Sequence, residues 1–448
     1  MKIKYVIYIG LFFIICMLPS AGLFFSGVSQ SMENRETAKT PVLLEEDGVN
    51  KYFLSDAGKW FEDHFAFRNE MVTGYAKLMG KTFGVSSQQK VIVGKDGWLF
   101  YKDSLKDFQG TEQMTDRQLF DVAHSLAMIQ QYAQKNGIRF AFTIAPNKNS
   151  LYGAYMPYYY QPFRKTEGNM ERLKEYLQAE RVNYIDLYEV FQNQQEILYH
   201  KRDSHWNYQG AALAADRILQ GLGKQRPSYA DRKFTVRTDF EGDLDKMLYP
   251  SAVKPEEEIY YDPPAQFTYY EEVESNFAPK ISTRSDGMGS LVMYRDSFGN
   301  ALLPYMAEVY ETAYFSRALP YQLQDLAQHQ ADTLIIERAE RFLPDMAQEA
   351  PYMEAPDIEI PLADIETGTE KTLEIADLRQ IKQGDFIQVT GTAPADALKD
   401  NSRIYIRVNG SQWYEAFPVS DADGREGFSL LLPIAYDTEN KFELFLME

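Results

Sequence analysis

The sequence predicts an α/β protein with a parallel sheet and helices on both of its faces, followed by an all-β, sandwich-like domain and preceded by a transmembrane helix. Three patterns support this prediction. Short apolar segments alternate with helix-length segments over residues 138–338, only short alternating segments remain after about residue 351, and residues 5–25 form an uncharged, mostly apolar run. Apolar strands separated by helices are typical of a parallel sheet that is buried on both faces.

Length and composition exclude some classes of protein. The chain has 448 residues, a net charge of −19 and 14% aromatic residues. This length is enough for roughly two or three domains with a sizeable core. The negative charge argues against nucleic-acid binding, because proteins that bind phosphate backbones present a basic face. The single cysteine, Cys16, excludes an internal disulfide.

The N-terminal run has the length of a membrane span. At about 1.5 Å per residue, residues 5–25 just cross a bilayer core of roughly 30 Å. Lys2 and Lys4 precede the run, so the start is expected to stay cytoplasmic and the remainder to be exported. We expect a signal anchor over residues 1–27, single-pass at the cell membrane, with an extracytoplasmic body; a cleaved signal peptide is the alternative. A polar tether and a helical lead-in should follow over residues 28–90.

Residues 91–350 carry the predicted α/β domain. It should open with two short strands about a Gly-Lys-Asp-Gly turn. Thr115 and Gln118 then form a capping box that starts a helix, which Gly137 ends. His124 lies off the apolar stripe of this helix and is predicted to be solvated. Further strands are predicted at residues 138–146, 183–188, 290–296, 309–315 and 333–338, with residues 224–288 irregular.

The last part of the chain, residues 351–448, is predicted to form a β-sandwich, because its short alternating segments are separated by Gly, Asn and Asp turns. Trp413 and Tyr414 could stack on a glycan or belong to the core. Since adjacent residues of a strand point to opposite faces, a binding platform would include at most one of them.

A candidate catalytic serine stands at the edge of the predicted sheet. Ser297 follows the strand of residues 290–296 and opens the next helix, where ligands of parallel sheets bind and where backbone N–H groups can hold an oxyanion. A serine hydroxyl needs a base to take its proton; His205 would be that base and Asp203 would orient it.

Each of these two motifs has an ordinary structural alternative. A serine at a helix start is often only an N-cap, a role that we give to Asp296, and an Asp-x-His element can be a surface ion pair. Because no second histidine stands at ligand spacing from His205, we predict no metal site and no other cofactor.

Five segments occur in a recognisable order: "VIVGKDGWLFY", "APNKNSLYGAYMP", "DSHWNYQGA", "GDLDKML" and "YRDSFGNALLPYMAE". With them the chain resembles the AlgX/AlgJ-type SGNH-hydrolase-like proteins and their DHHW-related relatives over about residues 50–345. The resemblance implies an SGNH-like (flavodoxin-like) fold and O-acetylation of a cell-surface or secreted polysaccharide. It also implies Asp203, His205 and Ser297 as the triad, an acyl-serine intermediate, and a multi-pass membrane acyltransferase that supplies the acetyl group.

The chain departs from the usual SGNH pattern in two places. Arg-Asp-Ser-Phe replaces the common Gly-Asp-Ser, and "TLIIERAER" stands where an oxyanion-hole asparagine is usual. Arg317, Arg338 and Arg341 are therefore candidate oxyanion donors, with a buried Arg–Glu pair as the alternative. Two other functions stay open: a polysaccharide acetyl-esterase with the same triad, and a non-catalytic glycan-binding scaffold of an export complex.

Overall fold

The computed structural model describes residues 3–26, 38–45, 48–224, 228–358, 373–394, 397–420, 425–434 and 440–447. Over these residues the α-helices are α1 (Ile3–Ser26), α2 (Phe53–His64), α3 (Arg68–Phe83), α4 (Leu105–Gln109), α5 (Asp116–Lys135), α6 (Lys148–Tyr152), α7 (Asn169–Ala179), α8 (Leu187–Gln192), α9 (Tyr208–Gly221), α10 (Asp243–Leu248), α11 (Gly299–Ala307), α12 (Asp325–Gln328) and α13 (Leu343–Met346).

The strands of the same residues are β1 (Leu44–Glu45), β2 (Gly48–Val49), β3 (Val91–Val93), β4 (Leu99–Tyr101), β5 (Arg139–Ala145), β6 (Tyr184–Ile185), β7 (Lys233–Phe240), β8 (Glu256–Asp262), β9 (Thr268–Tyr269), β10 (Lys280–Arg284), β11 (Ser290–Tyr294), β12 (Thr312–Ser316), β13 (Thr333–Ala339), β14 (Asp357–Ile358), β15 (Ala376–Gln383), β16 (Phe386–Thr392), β17 (Arg403–Val408), β18 (Gln412–Ser420), β19 (Glu426–Pro433) and β20 (Phe442–Met447). The residue boundaries predicted for the domains stay predictions.

The central sheet has the strand order β6-β5-β13-β11-β12-β10-β9. The first five of these strands are parallel, while β10 and β9 extend the β12 edge in antiparallel fashion. The predicted parallel sheet is thus confirmed and gains an antiparallel edge. Because β5, β13 and β11 are parallel neighbours, the segments that follow them emerge side by side at one edge.

Helices cover both faces of this sheet. All seven residues of β13 are buried, and they alternate between two cores. Leu334 and Ile336 pack with residues of α5 and α7, whereas Ile335 packs with residues of α8, α9 and α11. A continuous apolar strand is what a two-sided core requires, so this part of the predicted fold class is confirmed.

Residues 224–288 are more regular than the sequence suggested. They contain β9, β10 and an antiparallel pair, β7 and β8, with Lys233 opposite Asp262. The prediction of an irregular stretch is wrong there. Most of β7 is exposed, so the strand lacks the contrast between buried and solvated positions on which periodicity depends.

Helix α5 begins with the predicted capping box of Thr115 and Gln118. The prediction for His124 is wrong: the side chain is buried, with Nδ1 2.9 Å from Glu180 Oε2 and Nε2 3.1 Å from Glu415 Oε1. Glu415 belongs to β18, so the C-terminal sheet packs on the face of α5 that the sequence assigned to solvent. Arg117 on the same helix donates to the carbonyl of Lys399.

The C-terminal strands form an antiparallel sheet in the order β15-β16-β19-β18-β17-β20, with β14 beside β18. The first part of β18 pairs with β17 and its last part with β19, so one strand is shared where two separate sandwich sheets were expected. Trp413 and Tyr414 are 7% and 6% exposed. Neither ring offers an open face to a sugar, and both belong to the core of this domain.

The predicted lead-in contains α2 and α3, while much of the predicted tether lies outside the described residues. Among the residues that the structure describes, none of the helices combines the length and apolar character needed to cross a membrane. The predicted transmembrane anchor over residues 1–27, and the single-pass membrane localisation and orientation inferred from it, are therefore wrong on this finding.

We expect His124 to make the stability of the protein depend on pH. Burial lowers the pKa of His124, but its hydrogen bonds to Glu180 and Glu415 outweigh burial and raise the pKa above its usual value. A raised folded-state pKa gives a stabilisation that is complete below the unfolded value of about 6.5 and is lost as the pH rises through the folded-state pKa.

At about pH 6, the variant His124→Gln should therefore be less stable than the unmodified chain. At about pH 9 the two proteins should have similar stability, because His124 is then neutral in the unmodified chain. We expect a loss of about 1–3 kcal/mol in the free energy of unfolding at the lower pH, measured by urea denaturation. An identical pH dependence in the two proteins would contradict the role of His124.

Candidate active site

Ser297 lies in the turn between β11 and α11. Asp296 closes this turn: its Oδ1 accepts from the backbone N–H of Phe298 at 2.9 Å, and its Oδ2 accepts from that of Ala339 at 2.7 Å. The carboxylate thereby ties the turn to the end of β13, and it does not cap α11 as expected. A Cβ on Gly299 would come within 2.6 Å of the Arg295 side chain, so this tight turn requires a glycine.

The segment before α9 brings the candidate base to this turn. Asn207 caps α9, as expected, by accepting from Gly210 N. His205 Nε2 lies 2.9 Å from Ser297 Oγ, although the two residues are 92 positions apart. His205 Nδ1 lies 2.8 Å from Asp203 Oδ1, which also accepts from the His205 backbone N–H. The structure therefore brings all three predicted residues together; that they act as a catalytic triad stays a prediction.

Two residues that the sequence analysis did not assign to the site hold Asp203 and its loop. The backbone N–H of Asp243 donates to Asp203 Oδ2 at 2.7 Å, while Asp243 Oδ2 accepts from Ser204 Oγ. Gly242 allows this approach, because a Cβ there would lie 2.2 Å from the Arg202 carbonyl oxygen. The sequence signal for Gly242 and Asp243 was the segment "GDLDKML", one of the five segments that carry the resemblance.

Lys148 holds the loop that carries Asp203 and His205. This lysine opens α6 beyond the end of β5 and is 3% exposed. Its Nζ donates to the carbonyls of His200 at 3.0 Å, Lys201 at 3.1 Å and Asp203 at 2.5 Å. Burial lowers the pKa of Lys148 to about 8. Three carbonyls converging on one ammonium group fix the path of the backbone on which Asp203 and His205 stand.

The electrostatics of the site couple Asp203 to His205. Burial raises the pKa of Asp203, but the hydrogen bond and the charge of His205 outweigh it and hold the pKa below its usual range. Burial lowers the pKa of His205, but the hydrogen bond and the charge of Asp203 outweigh it and raise the pKa. Burial, and then the charge of Asp203, raise the pKa of Asp243 to about 6. Such a pair stabilises the imidazolium that forms when the base takes a proton.

Among the described residues, Asp203, His205 and Asp243 form a group in which one potential metal-ligand atom from each lies within 4.8 Å of the others. Both oxygens of Asp203 and both ring nitrogens of His205 already lie within hydrogen-bonding distance of protein groups. The hydrogen bonds between these protein groups account for the arrangement of the site.

The three candidate arginines occupy different places. Arg341 Nη2 lies 3.5 Å from Ser297 Oγ, and its Nε is buried with no hydrogen-bond partner. Arg338 is 5% exposed and pairs with Glu349 at 2.9 Å, as a buried Arg–Glu pair would. Arg317 is exposed, and its Nη1 reaches the Phe277 carbonyl at 3.4 Å. Of the three, Arg341 is the one that the structure brings to Ser297.

A serine, a histidine and an aspartate that meet beyond the carboxyl ends of parallel strands are typical of SGNH-hydrolase-like proteins. Residues 91–276 match the family model described as SGNH hydrolase-like domain, acetyltransferase AlgX. The resemblance predicted from the sequence is therefore confirmed. The matched range contains Asp203 and His205 and ends before Ser297.

Several solved structures are similar to this chain. PatB1 from Bacillus cereus is 17% identical, with a TM-score of 0.46 over 56% of this chain and 96% of that chain. The O-acetyltransferase domain of AlgJ from Pseudomonas putida is 17% identical, with a TM-score of 0.39 over 57% of this chain and 92% of that chain. AlgX from Pseudomonas aeruginosa is 14% identical, with a TM-score of 0.41 over 80% of this chain and 90% of that chain. Among curated protein sequences, none matches this chain significantly.

We expect Lys148→Met to slow ester turnover while the protein still folds. Methionine fills similar space but donates nothing to the three loop carbonyls, so the loop that carries His205 should shift. A displacement of about 1 Å costs a factor of about 100 in rate, which should appear in kcat for p-nitrophenyl acetate.

Lys102→Met, at an exposed lysine, is the matched control and should retain full activity. A merely structural role of Lys148 would lower the melting temperature without slowing the covalent labelling of Ser297 in the protein that remains folded. Full kcat in Lys148→Met would refute the positioning role.

Proposed function

We propose that this chain is an O-acetyltransferase that moves an acetyl group through an acyl-Ser297 intermediate onto hydroxyl groups of a polysaccharide. The observation that carries the proposal is the continuous hydrogen-bonded chain from Ser297 Oγ through His205 to Asp203. The match to the AlgX acetyltransferase model supports acetyl transfer as the reaction and a polysaccharide as the acceptor. A multi-pass membrane acyltransferase is the proposed supplier of the acetyl group.

The first half of the reaction acylates the serine. Ser297 Oγ attacks the carbonyl carbon of the donor while its proton passes to His205 Nε2. The bond from the carbonyl carbon to the donor oxygen then breaks, and the leaving oxygen takes the proton from His205. In the second half, a sugar hydroxyl gives its proton to His205 and attacks the acyl carbon, and Ser297 leaves with that proton.

The negative charge that develops on the carbonyl oxygen needs nearby donors. We assign this role to Arg341 and the backbone N–H of Ser297. The Arg341 guanidinium packs over the ring of Phe298 with its carbon 5.3 Å from the ring centre. No ion pair with a carboxylate is found for it among the described residues. Its charge is therefore available to an oxyanion in a way that the charge of Arg338 is not.

Replacing Ser297 with alanine should remove the activity. We expect acetyl transfer from p-nitrophenyl acetate to glycan oligosaccharides to fall by at least about 10⁴-fold, and labelling by a sulfonyl fluoride to disappear. Ser290→Ala, at the start of the strand β11 that precedes Ser297, is the control and should keep both. Mass spectrometry of the labelled peptide checks the site.

Retained transfer in Ser297→Ala would rule out the nucleophile assignment. Release of free acetate at a rate that no acceptor changes would identify an esterase in place of a transferase. A folded protein that neither turns over esters nor takes the label would identify a non-catalytic scaffold.

Arg341→Ala should lower kcat by about 10²–10³-fold, the cost of losing one oxyanion donor. The loss should appear in kcat with little change in KM, because the interaction strengthens in the transition state. Arg317→Ala, at an exposed arginine, is the matched comparison and should have no such effect. Equal kcat values in Arg341→Ala and the unmodified protein would exclude Arg341 from the oxyanion site.

A further inference from the structure

A cavity of about 380 Å³ opens beside Ser297 and His205. One wall comes from β8, through Ile259, Tyr260 and Tyr261, with Phe240 at the end of β7 beside them. This wall belongs to the strand pair in the stretch that the sequence analysis took as irregular.

The opposite wall comes from α11, the helix that follows Ser297. Ala301, Pro304 and Tyr305 face the cavity from this helix, and Phe277 lies at its margin with 62% of its surface exposed. The lining is therefore mainly aliphatic and aromatic. The cavity begins at Ser297, the proposed nucleophile. A group bound in it therefore lies next to the atom that is proposed to react.

The wall from β8 is fixed relative to the candidate base. Glu258 is 2% exposed, and its Oε2 lies 2.8 Å from His200 Nε2. Its carboxylate also accepts from the backbone N–H of Tyr208 at 3.2 Å. These contacts hold β8 on both sides of the segment that carries His205, so the cavity does not need a ligand to form.

Most polar groups of the lining are already engaged with the protein. The hydroxyl of Tyr260 donates to Asp239 at 2.8 Å, and that of Tyr305 donates to a backbone carbonyl at 3.3 Å. The side-chain amide of Asn276 donates to the Asn300 carbonyl at 3.2 Å. A sugar ring placed here would lose hydrogen bonds to water that the lining replaces poorly, which is costly. A hydrocarbon chain has no such cost.

The size of the cavity also favours a hydrocarbon chain as the ligand. Pockets of about 300–1,000 Å³ hold ligands of drug-like size, whereas an acetyl group has one methyl beyond its carbonyl. We propose that this cavity binds the hydrocarbon chain of an acyl donor, so that Ser297 accepts medium-length acyl groups as well as acetyl. This inference rests on the proposed acyl-Ser297 step, with the same bonds formed and broken and His205 carrying the proton to the leaving oxygen.

The test is a series of p-nitrophenyl esters, from acetate through butyrate and hexanoate to octanoate, with the full chain. Each methylene that leaves water should raise kcat/KM by about fourfold, so kcat/KM should climb from acetate to hexanoate. Ala301→Leu narrows the cavity on the α11 side and should lower the ratio of hexanoate to acetate turnover at least about tenfold. Ala265→Leu, in the loop beyond β8, narrows it independently of the helix and should act in the same direction. Ala154→Leu, at an exposed alanine outside the lining, should leave the ratio unchanged.

The outcomes separate this inference from the proposed function. If acetate is turned over through Ser297 but kcat/KM is flat or falls with chain length, the acyl-chain site is refuted and the proposed function stands. If the cavity binds the acceptor sugar instead, Ala301→Leu will weaken transfer to oligosaccharides without changing the ester ratio, which also refutes it. If no ester is turned over and Ser297 takes no label, both fail.

Discussion

The hydrogen bond between His205 Nε2 and Ser297 Oγ is the contact on which the proposed chemistry depends. It joins the loop before α9 to the turn after β11. The next residue of each segment forms a second hydrogen bond: Trp206 Nε1 donates to the Phe298 carbonyl at 3.1 Å. The Trp206 ring is 2% exposed and packs edge-on against Phe298. Two consecutive contacts between the same two segments fix both the distance and the orientation of His205 relative to Ser297, so the proposed base and the proposed nucleophile are aligned without a substrate.

The charges around this bond explain why it can be buried. An ionised carboxylate is expensive in a protein interior unless it is paired and hydrogen-bonded. Asp203 meets both conditions through His205 and through the backbone N–H of Asp243. Lys148 adds a positive charge behind the same loop. On the other side of the serine, Arg341 has no carboxylate partner among the described residues, so its positive charge is available to the oxyanion that the proposed acyl transfer would develop.

Several features of the fold could be read from local patterns. The strands β5, β11 and β13 are short apolar runs, and the start of α5 is a capping box; in each case the signal lies within a few residues. The burial of His124 could not be predicted from such local patterns. Its position off the apolar stripe is visible in the sequence, but the sheet that covers it comes from residues nearly three hundred positions later. Similarly, Phe234 and Val236 of β7 are apolar but exposed, so a regular strand did not stand out.

The sequence by itself determined that a serine would follow a buried strand and that an acid and a histidine would stand two residues apart before a helix, because these are properties of neighbouring residues. It also determined a run of apolar residues, which forms the helix α1; the membrane span predicted from that run is not found among the described helices. Only the tertiary structure decided which of three arginines reaches Ser297, that Lys148 and Asp243 hold the loop of Asp203 and His205, and that β8 and α11 enclose a cavity. These facts depend on where distant segments meet in space, and pairing between distant segments leaves no periodicity in either of them.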